Sequence, residues 1–169
     1  MKRSIILFVL LSFLLCACSS HNDKPKSPVN FYYLNQTITY NSQTGIIAPQ
    51  IREGAGYEND ILSLMNVYIK GPDSQLFISP FPDRLEILDI SQAEGVAYLT
   101  VSDQICMLTG HDLTLACVCL SRTVMDLTNM NAVQIAVPDR LIDGKTSLMI
   151  RAEDIVYMDE AAYGLSEAD

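Results

Sequence analysis

The stretch DLTLACVCLSRTVMDLTNM, residues 112–130, decides how the rest of the chain is read. Leu113, Ala116, Cys117, Leu120, Val124 and Leu127 recur at helical spacing and form one apolar stripe. Leu115, Val118, Cys119 and Met125 widen that stripe until most of the cylinder is apolar. A helix apolar over most of its surface is buried on several sides. The stretch therefore predicts a central core helix, with the flanking strands forming the sheet it covers. Asp112 offers a carboxylate to the unpaired N–H groups at the helix start. Asn129 and Asn131 flank its stop. Asp126 marks its exposed, acidic side. The stretch holds no catalytic constellation.

A strand follows at once over residues 132–137, where Val133, Ile135 and Val137 alternate. Upstream, residues 85–90 and 96–102 predict a hairpin around Ser91-Gln92-Ala93-Glu94-Gly95. Leu88 and Ile90 alternate on one strand, and Ala97, Leu99 and Val101 on the other. Ser79-Pro80-Phe81-Pro82 is a stiff loop. Residues 57–70 predict the first helix, with Ile61, Leu64, Met65 and Tyr68 on one face. Its acids, Glu58 and Asp60, sit in the first turn and Lys70 in the last, as the helix dipole favours. Gly71-Pro72 ends it, because glycine supplies a left-handed cap and proline cannot continue a helix. Further back, residues 31–34 read as the first strand, and residues 36–40 prolong it or belong to a hairpin. Residues 41–45 form a turn cluster. Residues 46–52 form a second extended piece, placed at an edge by Pro49. At the far end, Asp143-Gly144 is a tight-turn dipeptide suited to return the chain as a strand over residues 147–151. The order strand–helix–hairpin–helix–strand is an α+β plan. Two helices cover one face of a small, mainly antiparallel or mixed sheet.

The N-terminus reads as an address. Met1-Lys2-Arg3 is basic, and the apolar run SIILFVLLSFLL is of signal-peptide length. Leu15-Cys16-Ala17-Cys18 then places a small residue directly before a cysteine and a leucine three before it. This resembles the lipobox of bacterial lipoproteins, which implies a diacylglycerol on the Cys18 thiol and cleavage just before it. Cys16 is the competing cysteine, with Leu15 in the cleavage position. Processing removes Lys2 and Arg3 and takes the net charge from −9 to −11. Acyl chains, at ~0.8 kcal/mol per buried methylene, then supply the membrane attachment that so acidic a chain cannot draw from anionic headgroups. The expected division is a signal peptide over 1–17, a flexible tether over 18–28, a domain over 29–158 and an acidic tail over 159–169. The same acidity argues against nucleic-acid binding, which needs basic patches.

The domain resembles the GerMN family of sporulation and germination lipoproteins. The matching residues are Phe31-Tyr32-Tyr33-Leu34, Ile61 to Met65 running into Lys70-Gly71-Pro72, and Ser79-Pro80-Phe81-Pro82. Gly95, Leu99-Thr100-Val101-Ser102, Thr123-Val124 and Val133 to Val137 complete them. The resemblance spans about residues 29–144. It implies a non-enzymatic, ring-building type of domain that packs against neighbours in envelope assemblies.

The chemistry-bearing residues are sparse. Cys117 and Cys119 lie two apart on the helix and point about 200° from each other, so they neither share a metal nor bridge. Cys106 has the geometry open to pair with either, but buried thiols are the reading adopted. His21 and His111 are too few for a zinc site or a triad. Asp143-Gly144-Lys145 lacks the spaced oxygens of a calcium loop. Glu86, Asp89, Asp103 and Asp112 are scattered surface acids. Tyr32, Tyr33, Tyr40 and Tyr57 are read as packing residues, with stacking on sugars as the alternative. No catalytic, cofactor or metal residue is assigned, and Cys18 is the one modification site. The expected function is a lipid-anchored module on the outer face of the bacterial cell membrane. It would assemble with an envelope protein or with itself. The alternative is recognition of cell-wall glycan.

Overall fold

The computed structural model describes residues 27–36, 45–54, 56–57 and 59–155. The signal segment with Cys18, most of the tether with His21, Tyr40, most of the turn at 41–45 and the acidic tail lie outside the described residues.

Two sheets and two α-helices form the frame of the described chain. β1 (Pro28–Asn35), β2 (Ile47–Glu53) and the two-residue β3 (Phe77–Ile78) form the first sheet, in the order β2-β1-β3. β4 (Ile87–Ala93), β5 (Val96–Val101), β6 (Ala132–Ala136) and β7 (Ser147–Arg151) form the second, in chain order. α1 (Ile61–Tyr68) packs on β4, and α2 (Gly110–Thr128) touches β1 on one side and β5, β6 and β7 on the other. The α+β class and the central helix are as expected. The expected single sheet is instead two, with α2 between them. The reason lies in connectivity. β5 and β6 are parallel, and a parallel pair needs a crossover, which α2 supplies. The N-terminal strands then cover the side of α2 that this crossover leaves bare.

α2 shows why its stripe is so wide. Leu113, Ala116, Cys117, Cys119, Leu120, Thr123, Val124 and Met125 are all buried. Leu113 and Cys117 lie beside Leu148 and Ile150 of the second sheet. Thr123 lies against β1. The angular separation of Cys117 and Cys119 thus sends one thiol to each side. The helix begins two residues before the expected Asp112 and ends at Asn129, whose φ of 58° is left-handed and whose N–H bonds to the Met125 carbonyl.

α1 is shorter than the expected 57–70. The Asp60 carboxylate accepts from the Ser63 N–H at 2.9 Å and caps the helix there, while Tyr57 and Asp60 close turns before it. The Ser63 side chain, with this backbone N–H second, lowers the Asp60 carboxyl from its ordinary value. At the other end Gly71 has φ 109°, and its N–H reaches the Tyr68 carbonyl. The left-handed stop is as expected.

The hairpin departs from expectation in two places. Its turn is only Glu94-Gly95, both with positive φ, which matches the twist of the flanking strands. A register shift between Ile87 and Asp89 moves Leu88 outward to 44% exposure and gives Ile87 the core position. Pro49 does sit on an edge strand, β2. Asp143 and Gly144 both have positive φ, and the chain does return as β7.

Candidate functional site: an uncharged sheet face and a polar cleft

The tyrosines of β1 form a hydrogen-bonded cluster inside the fold. Beyond Leu34 and Asn35, β3 offers β1 no partner, so the edge of β1 runs beside α2 and α1. There Tyr32 N–H donates to Thr123 Oγ1 at 3.1 Å, and the Tyr68 hydroxyl donates to the Tyr32 carbonyl. Two side chains thus take the place of a third strand. The Tyr33 hydroxyl in turn donates to the Tyr68 carbonyl at 2.7 Å, satisfying a helix end. Burial pushes the Tyr33 and Tyr68 phenols well above their ordinary range. The rings of Phe31, Tyr33, Phe81 and Tyr68 pack within about 5 to 6.4 Å of one another where they meet. Sugar stacking has no platform at Tyr33, which is fully buried. Thr123→Val keeps the shape but strands the buried Tyr32 N–H. It is expected to lower stability by about 1–3 kcal/mol in urea unfolding, whereas Thr123→Ser retains the acceptor and most of the stability.

Tyr32 points the other way, toward Asp126, which together with Asn30 and Arg122 lines a cleft of about 510 Å³ at the C-terminal end of α2. Its hydroxyl donates to Asp126 Oδ2 at 2.8 Å, Asn30 Nδ2 donates to the same oxygen at 3.2 Å, and Arg122 pairs with Oδ1 at 3.4 Å. The Arg122 guanidinium lies 5.3 Å above the Tyr32 ring. Burial raises the Tyr32 phenol from its ordinary value. Asp126, read from the sequence as a free surface acid, is therefore the centre of a network tying β1 to α2. Partners 94 and 96 positions away are invisible to helical periodicity. Asn129 and Asn131 add further amide groups to the cleft wall.

The second candidate is the outer face of the second sheet. Its inner face carries Ala97, Leu99, Val101, Val133 and Ile135, all buried. The residues between them point away from α2. Cross-strand register aligns Ser91, Tyr98, Gln134 and Met149 in one row. A second row holds Ala93, Val96, Ala132 and Arg151, and a third holds Asp89, Thr100, Ala136 and Ser147. A solvent-facing antiparallel sheet ordinarily alternates apolar-in with polar, commonly charged, residues out. Here charge appears only at Asp89 and Arg151. No described element covers this face. Periodicity exposes which residues alternate, but only the register brings them into one surface.

The remaining predicted residues are dispersed. Asp103 pairs with Arg140 at 3.2 Å on the surface; Glu86, Asp89, Asp112 and His111 are exposed and not gathered. The Ser121 hydroxyl is buried without a hydrogen-bond partner among the described residues. Among them, too, no group of three His, Cys, Asp or Glu side chains is close enough to hold a metal ion. No helix of the described residues is long and apolar enough to cross a membrane. Cys106, Cys117 and Cys119 are free thiols. Burial pushes Cys117 and Cys119 each up to about 12. In native protein at pH 8, iodoacetamide should label Cys106 and spare Cys117 and Cys119, with all three labelled after denaturation. Peptide mass spectrometry reads this directly.

No family model and no curated protein matches the chain. Solved structures do. The tandem GerMN domains of the sporulation protein GerM from Bacillus subtilis align with a TM-score of 0.52 at 17% identity, over 70% of this chain and 43% of that one. A Clostridium perfringens protein provisionally described as a lipoprotein aligns with a TM-score of 0.48 at 16% identity, over 76% of this chain and 91% of that one. The alignment with the tandem domains makes the fold GerMN-like. The chain spans less than half the length of the tandem protein.

Proposed function

We propose that this chain is a lipid-anchored, non-enzymatic module of the bacterial cell envelope that assembles with protein through the outer face of its second sheet. The observation that carries the reading is that face: three rows deep, four strands wide and charged only at two corners. Interfaces are depleted of charge at their centre and enriched in residues such as Tyr98 and Met149. The GerMN-like fold is compatible with a role in sporulation or germination, since GerM is named as a sporulation protein. The lipobox motivates attachment through Cys18 to the outer face of the cell membrane.

Glycan recognition is the second reading, and the polar cleft favours it through Asn30, Asn129 and Asn131. Tyr32 is buried outside the cleft lining with the Arg122 guanidinium over its ring, and among the described residues no aromatic side chain lines the cleft as a stacking platform, so assembly is preferred. Two measurements test the proposal. Cys18→Ser should leave an unprocessed precursor that takes up no labelled fatty acid, and normal labelling would overturn the assignment of the lipid to Cys18. Tyr98→Arg should abolish cross-linking to protein neighbours in intact cells while the fold and the fatty-acid label persist. Unchanged cross-links, with lost binding to cell-wall fragments in an Asn30→Ala variant, would favour the glycan reading.

A further inference from the structure

The two charges on the outer sheet face stand at diagonally opposite corners. Asp89 lies on β4 in the row of Thr100, Ala136 and Ser147; Arg151 lies on β7 in the row of Ala93, Val96 and Ala132. Three strand spacings separate them across the sheet and four residues along it, about 14 Å in each direction. Tyr98 and Gln134, neighbours in the middle row, occupy the centre. We infer that the occupant of this face is a second copy of the same chain, packed face to face about a two-fold axis that passes between Tyr98 and Gln134. The inference rests on the assembly reading and names its partner.

The pattern is self-complementary. A two-fold axis lying in the interface, perpendicular to the line from Asp89 to Arg151, exchanges the two corners. Each Asp89 then meets the Arg151 of the other copy, twice over, as an isologous interface requires. Because that line runs at about 45° to the strands, the same axis sets the strands of the two sheets at about 90°, one of the two favoured ways for sheets to stack. The intervening residues are small or uncharged: Ala132, Ala136, Val96 and Thr100 allow close approach, and Tyr98 and Met149 supply apolar area.

Charge also favours this face over others. A chain of net charge −9 repels its own copy through most of its surface. An uncharged patch with one acid and one base at exchangeable corners is where two such chains can meet. Asp89 has no ion-pair partner among the described residues. Arg151 pairs with Asp154 only at 3.9 Å, with both side chains more than half exposed. That weak surface contact is easily replaced. The opposite charges act chiefly on register and partner choice, since rim ion pairs steer more than they bind.

The test uses the full chain, extracted in detergent, and measures self-association by sedimentation equilibrium. Wild type should be a reversible dimer. Asp89→Arg and Arg151→Asp should each weaken it by at least about tenfold, since each reversal places like charges together at both corners. The double variant, with the charges swapped, should return to within a few-fold of wild type. Both positions are exposed, and a circular dichroism melt confirms that each variant is folded. A dimer indifferent to both single reversals overturns the inference, as does a double variant no better than either single one. A wild type monomeric at every concentration also overturns it. If that monomer still cross-links in cells to a different protein and loses the link on Tyr98→Arg, assembly stands and only the second copy is wrong. If Tyr98→Arg changes neither self-association nor any cellular cross-link, the assembly reading falls as well.

Discussion

Leu120→Ala is expected to destabilise the domain by about 2–5 kcal/mol, chiefly by opening a cavity. Leu120 is fully buried at the middle of α2, one turn from buried Ala116, Cys117 and Val124. α2 has a sheet on each side, so no single layer can settle inward to refill the space without leaving the other. The loss should fall toward the upper part of that range. Leu120→Asp should not fold, because a carboxylate there has neither water nor a partner. Urea unfolding of the alanine variant checks the first claim and far-ultraviolet circular dichroism of the aspartate variant the second. A loss under 1 kcal/mol for Leu120→Ala would mean that α2 does not lie between the two sheets.

Tyr68→Ala should cost about 3–5 kcal/mol. Its ring packs against Phe31, Tyr33 and Phe81, with centroids 4.9, 5.0 and 5.1 Å away. Its hydroxyl also closes the edge of β1 at the Tyr32 carbonyl. Tyr68→Phe separates the two contributions. It keeps the ring and leaves a buried carbonyl unpaired, so it should lose about 1–3 kcal/mol. The phenol is buried and held well above its ordinary range, so it stays protonated through neutral pH. Because the folded phenol is raised above its unfolded value of about 10, the Tyr68→Phe loss should stay constant below that pH and shrink above it, where only the unfolded phenol ionises. A loss that does not shrink above about pH 10 would show that Tyr68 ionises in the folded protein as it does in the unfolded one and is not sealed in the core.

What the sequence by itself determined is whatever repeats locally. The wide stripe of α2, the alternation Ala97, Leu99, Val101 in β5, the Gly71-Pro72 stop and the Asp143-Gly144 turn all follow from period or from a residue with a special φ preference. Together they specify the α+β class and the central place of α2. The expected N-terminal address rests likewise on local order: basic residues, an apolar run, then Ala17-Cys18.

Tertiary structure alone decided everything that joins distant positions. Division into two sheets depends on whether β1 pairs with the later strands or crosses to the far side of α2, and apolar alternation is the same in both cases. The place of Leu88 turned on a register shift that inverts which neighbour faces the core. Asp126 looked like a solvated acid because its partners, Asn30 and Tyr32, lie more than 90 residues away. The outer face of the second sheet is likewise composed of residues from four separate strands, and its two charges become diagonal corners only once antiparallel and parallel pairings are combined. Periodicity reports which side of an element is apolar. Which other element meets that side, and which residues it brings together, is settled by packing between segments far apart in the chain.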